Sequence, residues 1–187
     1  MTRRLILATA ATLGALTLSA CSTADEPEQT PATSATHDHE SMQHDHAQDG
    51  GAPPGGIVEA TDATYPVGTD VTVLADHMPG MEGEKGTITG AFDTTAYAVS
   101  YTPTDGSDPV VNHKWVVHEE LENPGPAPLA DGTEVVLTAE HMAGMSGATA
   151  TIDSSTQETV YMVDIEADGM TMTNHKWAVE SELEPAK

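Results

Sequence analysis

An all-β chain is predicted, with two small SH3-like barrels of KOW type in tandem behind a signal peptide and a disordered linker. Three observations predict it. A long segment occurs twice, the apolar residues inside each copy alternate in short runs, and no stretch keeps helical periodicity over ten residues. The repeat is plain in the residues. Gly68-Thr69-Asp70-Val71-Thr72-Val73-Leu74-Ala75-Asp76-His77-Met78-Pro79-Gly80-Met81 returns 64 positions later as Gly132-Thr133-Glu134-Val135-Val136-Leu137-Thr138-Ala139-Glu140-His141-Met142-Ala143-Gly144-Met145. Asn112-His113-Lys114-Trp115 then returns as Asn174-His175-Lys176-Trp177 at an offset of 62, which places a two-residue gap in the turn around Asp105-Gly106.

From the N-terminus, Met1-Thr2-Arg3-Arg4 is a short positive start and Leu5 to Leu18 an apolar run too short and too weak for a permanent membrane span. It reads as an export signal over residues 1–20. Leu18-Ser19-Ala20-Cys21 resembles the bacterial lipobox, so the expectation is cleavage before Cys21 and diacylglycerol on its sulfur. Two acyl chains hold a protein stably where one is marginal. Cys21 is the sole cysteine, which excludes an intramolecular disulfide. The expected location is the outer face of the cell membrane.

Residues 21–65 are expected to be a disordered tether, since Ser22 to Thr64 is almost wholly polar, Pro and Gly and cannot bury enough surface to offset its ordering entropy. Inside it, His37, His39, Met42, His44 and His46 fall within ten residues, interleaved with Asp38, Glu40 and Asp45. Imidazole suits copper, zinc and nickel, a thioether favours Cu(I), and the carboxylates concentrate cations. These five residues are the candidate metal ligands, with copper preferred and zinc the alternative. The competing expectation is a polar linker with incidental histidines.

The repeats occupy 66–122 and 129–187, joined by a proline-rich spacer at 123–128 that neither helix nor central strand tolerates. Val71 and Val73 alternate with polar neighbours. Further strands are expected at Gly86 to Phe92, Ala96 to Tyr101 and Val110 to Val117, and in the second copy near Thr149 to Ile152, Val160 to Ile165 and Thr171 to Val179. Glu119 to Leu121 and Glu180 to Leu183 suit single terminal turns. Strands of this number in so short a unit match a small barrel, which hides most of its edges.

Each repeat carries two motifs. His77, Met78 and Met81, with His141, Met142 and Met145, place an imidazole and two thioethers within five residues of turn, a secondary metal candidate; the plainer expectation is that methionine fills a small core and the glycine serves the turn. In Asn-His-Lys-Trp, period-two geometry puts His113, Trp115 and Val117 on one face, with His113 and His175 as buried barrel residues. His113, Trp115, His175 and Trp177 also mark a possible interaction surface. Lys114 and Lys176 are expected among carboxylates in surface ion pairs.

The lipobox, the histidine-rich tether and the doubled His-Met-x-Gly-Met and Asn-His-Lys-Trp motifs together resemble the YdhK family of bacterial lipoproteins, whose repeated domain is one of unknown function. The resemblance spans Gly68 to Glu184 and implies this architecture; it implies no activity.

Charge narrows the functions. The chain holds 6 Lys+Arg against 30 Asp+Glu, a formal charge of −24, and losing the first 20 residues makes it −26. Such a surface repels phosphate, so nucleic acid is excluded as a partner. No nucleophile elbow, phosphate loop or structural zinc spacing occurs, and no enzyme is expected. The function expected is an exported, lipid-anchored protein that binds or buffers a transition metal. The alternative is a non-catalytic tandem module binding a cell-envelope polymer or partner protein; a hydrolase acting through unrecognised carboxylates is the third class.

Overall fold

The computed structural model describes residues 47–167 and 170–186, which leaves the signal segment, Cys21 and His37, His39, Met42, His44 and His46 outside the described residues. Ten strands and two 3-10 turns follow in order: β1 Val58–Glu59, β2 Asp70–Val73, β3 Lys85–Asp93, β4 Ala96–Tyr101, β5 Val110–Val117, a turn at His118–Glu120, β6 Glu134–Val136, β7 Thr149–Thr156, β8 Thr159–Ala167, β9 Met170–Val179, a turn at Glu180–Glu182, and β10 Leu183–Pro185. The chain is all-β, and every strand expected from alternation is present. The two terminal turns fall where the Glu-Glu-Leu and Glu-Ser-Glu-Leu sequences suit them.

The strands do not sort by copy. One sheet runs β10-β2-β3-β8-β9, with β1 added on β3; the other runs β5-β4-β7-β6. β3 of the first copy pairs with β8 of the second from Lys85↔Glu166 to Asp93↔Thr159, and β4 pairs with β7 from Ala96↔Thr156 to Tyr101↔Ala150. The crossings are the links Thr94-Thr95 and Gln157-Glu158. A two-residue hairpin demands positive φ at its centre, normally supplied by Gly or Asn. None of these four residues has positive φ, so each strand runs on into the other sheet instead of folding back on its neighbour. By contrast, β4 and β5 are joined through Gly106 at φ 87°.

Each sheet therefore closes on a core made by both copies, an arrangement compatible with small barrels although the copies themselves are interleaved. Tyr97, Val99 and Val116 pack with Leu137, Met145 and Ile152 on one side. Val71, Val73 and Met81 pack with Tyr161, Ile165 and Leu183 on the other. Between the sheets lies a third core of Phe92, Ala98, Trp115, Val117, Met162, Trp177 and Val179. Phe92 and Trp177 meet edge to face there, ring centroids 5.8 Å apart. Burying three such cores is what offsets the ordering of a chain with few aromatics.

The expected disordered tether is corrected over 47–65. Val58 and Glu59 pair with Asp93 and Phe92, Ile57 packs on the central core, and Ala60, Ala63 and Tyr65 pack against the β2-β3-β8 core. The Tyr65 hydroxyl donates to the Leu183 carbonyl at 3.3 Å. Much of the attachment is backbone to backbone, which composition does not register.

Interleaving makes a single copy incomplete. Residues 66–122 alone leave β3 without β8 and β4 without β7, so that fragment is expected to form a strand-exchanged dimer that rebuilds both sheets. Sedimentation of the fragment at twice its monomer mass checks this; a folded monomer would show that one copy suffices.

Candidate functional site

The His-Met-x-Gly-Met segments form the loops from β2 to β3 and from β6 to β7. In the first, the Met81 amide donates to the Met78 carbonyl at 3.2 Å and the Gly83 amide to the Val73 carbonyl at 2.8 Å; in the second, Met145 to Met142 at 3.3 Å and Gly147 to Leu137 at 2.8 Å. Gly80 and Gly144 hold φ of 80° and 69°, a region an L side chain enters at a cost. The turn drives its last methionine inward. Met81 is 1% exposed and Met145 0%, Met142 is buried, and Met78 is half-buried against the same core as Met81. These thioethers are core atoms first, as the plainer expectation has it. Among the described residues, no group of three or more His, Cys, Asp or Glu is arranged around a metal position.

The Asn-His-Lys-Trp segments lie in β5 and β9, and here the expected single face is corrected. Val99 opposes His113 and Tyr97 opposes Val116, with register shifts on both sides of Val99. The extra residues in β5 send His113 to the Tyr97 and Tyr101 side of the sheet, whereas Trp115 and Val117 enter the central core. The His113 ring meets the Tyr101 ring edge-on at 6.1 Å. Asn112 and Asn174 sit at φ 53° and 50°, a conformation Asn tolerates better than most residues.

Two nodes result, related by the duplication. In one, Trp177 Nε1 donates to Glu120 Oε2 at 2.8 Å, and the Val117 amide donates to the same oxygen at 3.2 Å. Glu120 Oε1 lies 3.7 Å from His141 Nδ1, an ion-pair contact longer than a hydrogen bond. The other ring nitrogen of His141 faces His113, Nε2 to Nε2 at 3.2 Å, with the rings stacked 25° from parallel. One of those two nitrogens carries the hydrogen and the other accepts it. In the second node, Trp115 Nε1 donates to Glu182 Oε2 at 2.8 Å, the Val179 amide to the same oxygen at 3.2 Å, and His77 Nε2 meets Glu182 Oε1 at 2.8 Å. Each indole thus bonds a carboxylate from the other copy, across the central core. His175 is buried beside the second node's strand, as expected of a barrel histidine.

Burial pushes the Glu120 carboxyl up, but His141, the Trp177 indole and the Val117 amide outweigh it and hold the group below its ordinary value. Glu182 behaves likewise, with burial opposed by His77, Trp115 and the Val179 amide. The lysines part company. Lys114 stays 37% exposed, 4.0 Å from Glu182 Oε1 and 5.1 Å above the Trp115 ring. Lys176 is no surface ion pair: its Nζ donates to the Ala52 carbonyl at 2.7 Å, and burial lowers it against the charges of Glu120, Asp49 and Glu140.

Sequence reasoning passed over Glu120 and Glu182 among thirty acids. The signal was available: both stand five residues after the repeated Trp, at the same offset of 62.

The family described as "Protein of unknown function (DUF1541)" matches residues 67–118 and 131–180. The chain belongs to the DUF1541 family. Its two DUF1541 segments coincide with the two copies. The chain is 46% identical over 172 residues to the "Uncharacterized protein YdhK" of Bacillus subtilis (strain 168), covering 89% of this chain and 82% of that one. It is similar to the crystal structure of a DUF1541 family protein, ydhK, from Bacillus subtilis, with a TM-score of 0.71 at 48% identity over 74% of this chain and 97% of that chain. A second crystal structure of the Bacillus subtilis ydhK protein aligns with a TM-score of 0.61 at 52% identity, over 63% of this chain and 97% of the other.

The carboxylates give the DUF1541 core a pH dependence of known sign. A carboxyl held below its ordinary 4.5 contributes stability that is complete above that value and lost as pH falls through the lower, folded one. Denaturant midpoints of the parent chain are therefore expected to fall as pH drops below the ordinary carboxyl value of 4.5. Glu120→Gln is expected to fall less steeply, and to be less stable at neutral pH by about 1–3 kcal/mol. Parallel curves for the two chains would show that Glu120 is not a source of that dependence.

Proposed function

We propose that this protein is exported, anchored to the outer face of the cell membrane through lipid on Cys21, and acts without catalysis to bind or buffer a transition metal, copper before zinc. The observation that carries the reading is where the histidine-rich segment ends. His46 is followed directly by Ala47, whose amide donates to the His141 carbonyl at 3.5 Å. Ala47, the residue that follows the segment holding His37, His39, Met42, His44 and His46 in sequence, is thus bonded to the backbone of His141.

The chemistry of the His113 and His141 pair fits a metal. Two imidazole nitrogens 3.2 Å apart can both reach one ion at the usual length of about 2.0 Å. Glu120, 3.7 Å from the remaining nitrogen of His141, stands on the side from which a carboxylate commonly orients a ligating imidazole, although it is not hydrogen-bonded here. Met142 and Met145 line the core next to this loop, where a thioether favours Cu(I). The strongly acidic chain raises the cation concentration around both groups.

Two measurements test the reading. Changing His37, His39, His44 and His46 to Ala is expected to remove most Cu(II) and Zn(II) binding in calorimetry while the circular dichroism spectrum is retained. Binding by the parent chain should weaken as pH falls through about 6.5, where free imidazole protonates and loses its lone pair. Undiminished binding in the quadruple variant would remove the segment as a metal site. Separately, Cys21→Ser is expected to move the protein from the membrane fraction to the soluble one, and an unchanged distribution would overturn the anchor.

A further inference from the structure

Gln48 to Ala52 lies along β9 at its bulge and is held there through one isolated bridge. The Gly50 amide donates to the Thr173 carbonyl at 2.9 Å, and the Thr173 amide donates to the Gln48 carbonyl at 2.8 Å. This forms a parallel bridge between Asp49 and Thr173. Asn174 Nδ2 donates to Asp49 Oδ1 at 3.2 Å, and Lys176 Nζ holds the Ala52 carbonyl. Glycine is obligatory at position 50: a Cβ there would lie 2.0 Å from the Asn174 carbonyl oxygen.

The first copy presents the same receiving edge. Val111, Asn112 and Lys114 stand where Thr173, Asn174 and Lys176 stand in the second. Asn112 shares the positive φ of Asn174, and its amide donates to Ser100 Oγ at 3.0 Å as the Asn174 amide donates to Asp164 Oδ1 at 2.7 Å. β5 ends its sheet as β9 ends the other. Only the cover differs. Val111 is 77% exposed and Asn112 is exposed, whereas Thr173 and Asn174 are half-buried. An exposed valine beside an open strand edge is what natural proteins normally avoid unless something docks there.

We propose that the β5 edge from Val111 to Lys114 is a binding site for an extended peptide segment of a partner protein, carrying an Asp-Gly pair like Asp49-Gly50. Strand addition at an exposed edge supplies affinity through main-chain bonds and selectivity through side-chain contacts. The Asp carboxylate accepts from the Asn112 side-chain Nδ2, the glycine permits close approach to the Asn112 carbonyl, and a following carbonyl accepts from Lys114. That lysine is available, because its 4.0 Å contact with Glu182 is a weak one. A second copy of this chain is a poor occupant. Each chain has one such segment and two such edges, and the segment is already seated in cis, where tethering gives it a high effective concentration. Its contacts run through Asn112, Lys114 and the main chain, whereas the side chain of His113 between them is buried against Tyr101, so the test of this edge is read separately from the metal reading.

The probe is the capped peptide Ala-Gln-Asp-Gly-Gly-Ala, titrated into the isotope-labelled full chain and followed by amide resonances. Saturable shifts at Val111, Asn112 and Lys114 are expected, at higher concentration than a tethered segment would need. The peptide with Ala in place of its first Gly should give none. Asn112→Gly keeps the positive φ and removes the side-chain amide; it is expected to weaken the peptide about fivefold, the loss of one hydrogen bond. Unmoved resonances in β7 and β8 of that variant establish that it is folded. Four results overturn the proposal: no saturable shift at β5, shifts confined to Thr173 through Lys176, an equal response to the Ala peptide, or β5 shifts that depend on chain concentration without peptide, which would make another copy the occupant.

Discussion

Thr94-Thr95 and Gln157-Glu158 carry the backbone out of one sheet and into the other, and the remaining organisation follows from that passage. Because β3 does not turn back on β4, its edge is completed by β8; because β7 does not turn back on β8, its edge is completed by β4. Neither copy owns a core. Each of the two outer cores mixes the front half of one repeat with the back half of the other, and the third, between the sheets, takes Trp115 from one and Trp177 from the other.

The indoles show what the exchange makes possible. A buried Trp N–H demands an acceptor, and in each case the acceptor is a glutamate of the opposite copy, at 2.8 Å. The same carboxylate then meets a histidine from its partner copy's His-Met-x-Gly-Met loop. Glu120 and Glu182 therefore connect three separated pieces of sequence apiece. A buried charge of this kind persists only when its hydrogen bonds are satisfied, so the two nodes specify this pairing of strands as well as stabilising it.

How far the sequence revealed this depended on which physical signal each feature carries. Strands were legible because Val, Ile and Tyr alternate through Ala96 to Tyr101 and Val160 to Ile165. The fate of Met81 and Met145 was legible for a related reason, since a glycine turn that closes on a small core has to place its next apolar residue inside. The exchange was legible only negatively, in the lack of Gly or Asn at 94–95 and 157–158. The bulges at Asn112 and Asn174 were not, because an asparagine inside a β-run does not announce positive φ, and one inserted residue reverses every face beyond it. The seated segment at 47–65 was hidden for another reason: much of its hold is made by main-chain atoms and by Lys176, with only Ile57, Ala60, Ala63 and Tyr65 packed on the cores, too few for composition to register.

Duplication also supplies an internal control, for any difference between equivalent positions must come from local chemistry. Three differences fall at the two nodes and their strands. His77 turns Nε2 to its glutamate at 2.8 Å, whereas His141 turns Nδ1 to its own at 3.7 Å and keeps Nε2 for His113. Lys114 is free to reach solvent, whereas Lys176 is committed to Ala52. The β5 bulge is bare, whereas the β9 bulge is covered. At the Glu182 node His77 is held closely by its glutamate and the neighbouring β5 edge is open; at the Glu120 node His141 is held only loosely by its glutamate and adjoins the seated segment. One half of the molecule thus pairs His141 with His113 beside an occupied edge, and the other holds His77 against Glu182 beside an exposed edge. Two copies of one sequence have in this way been given different surfaces to present.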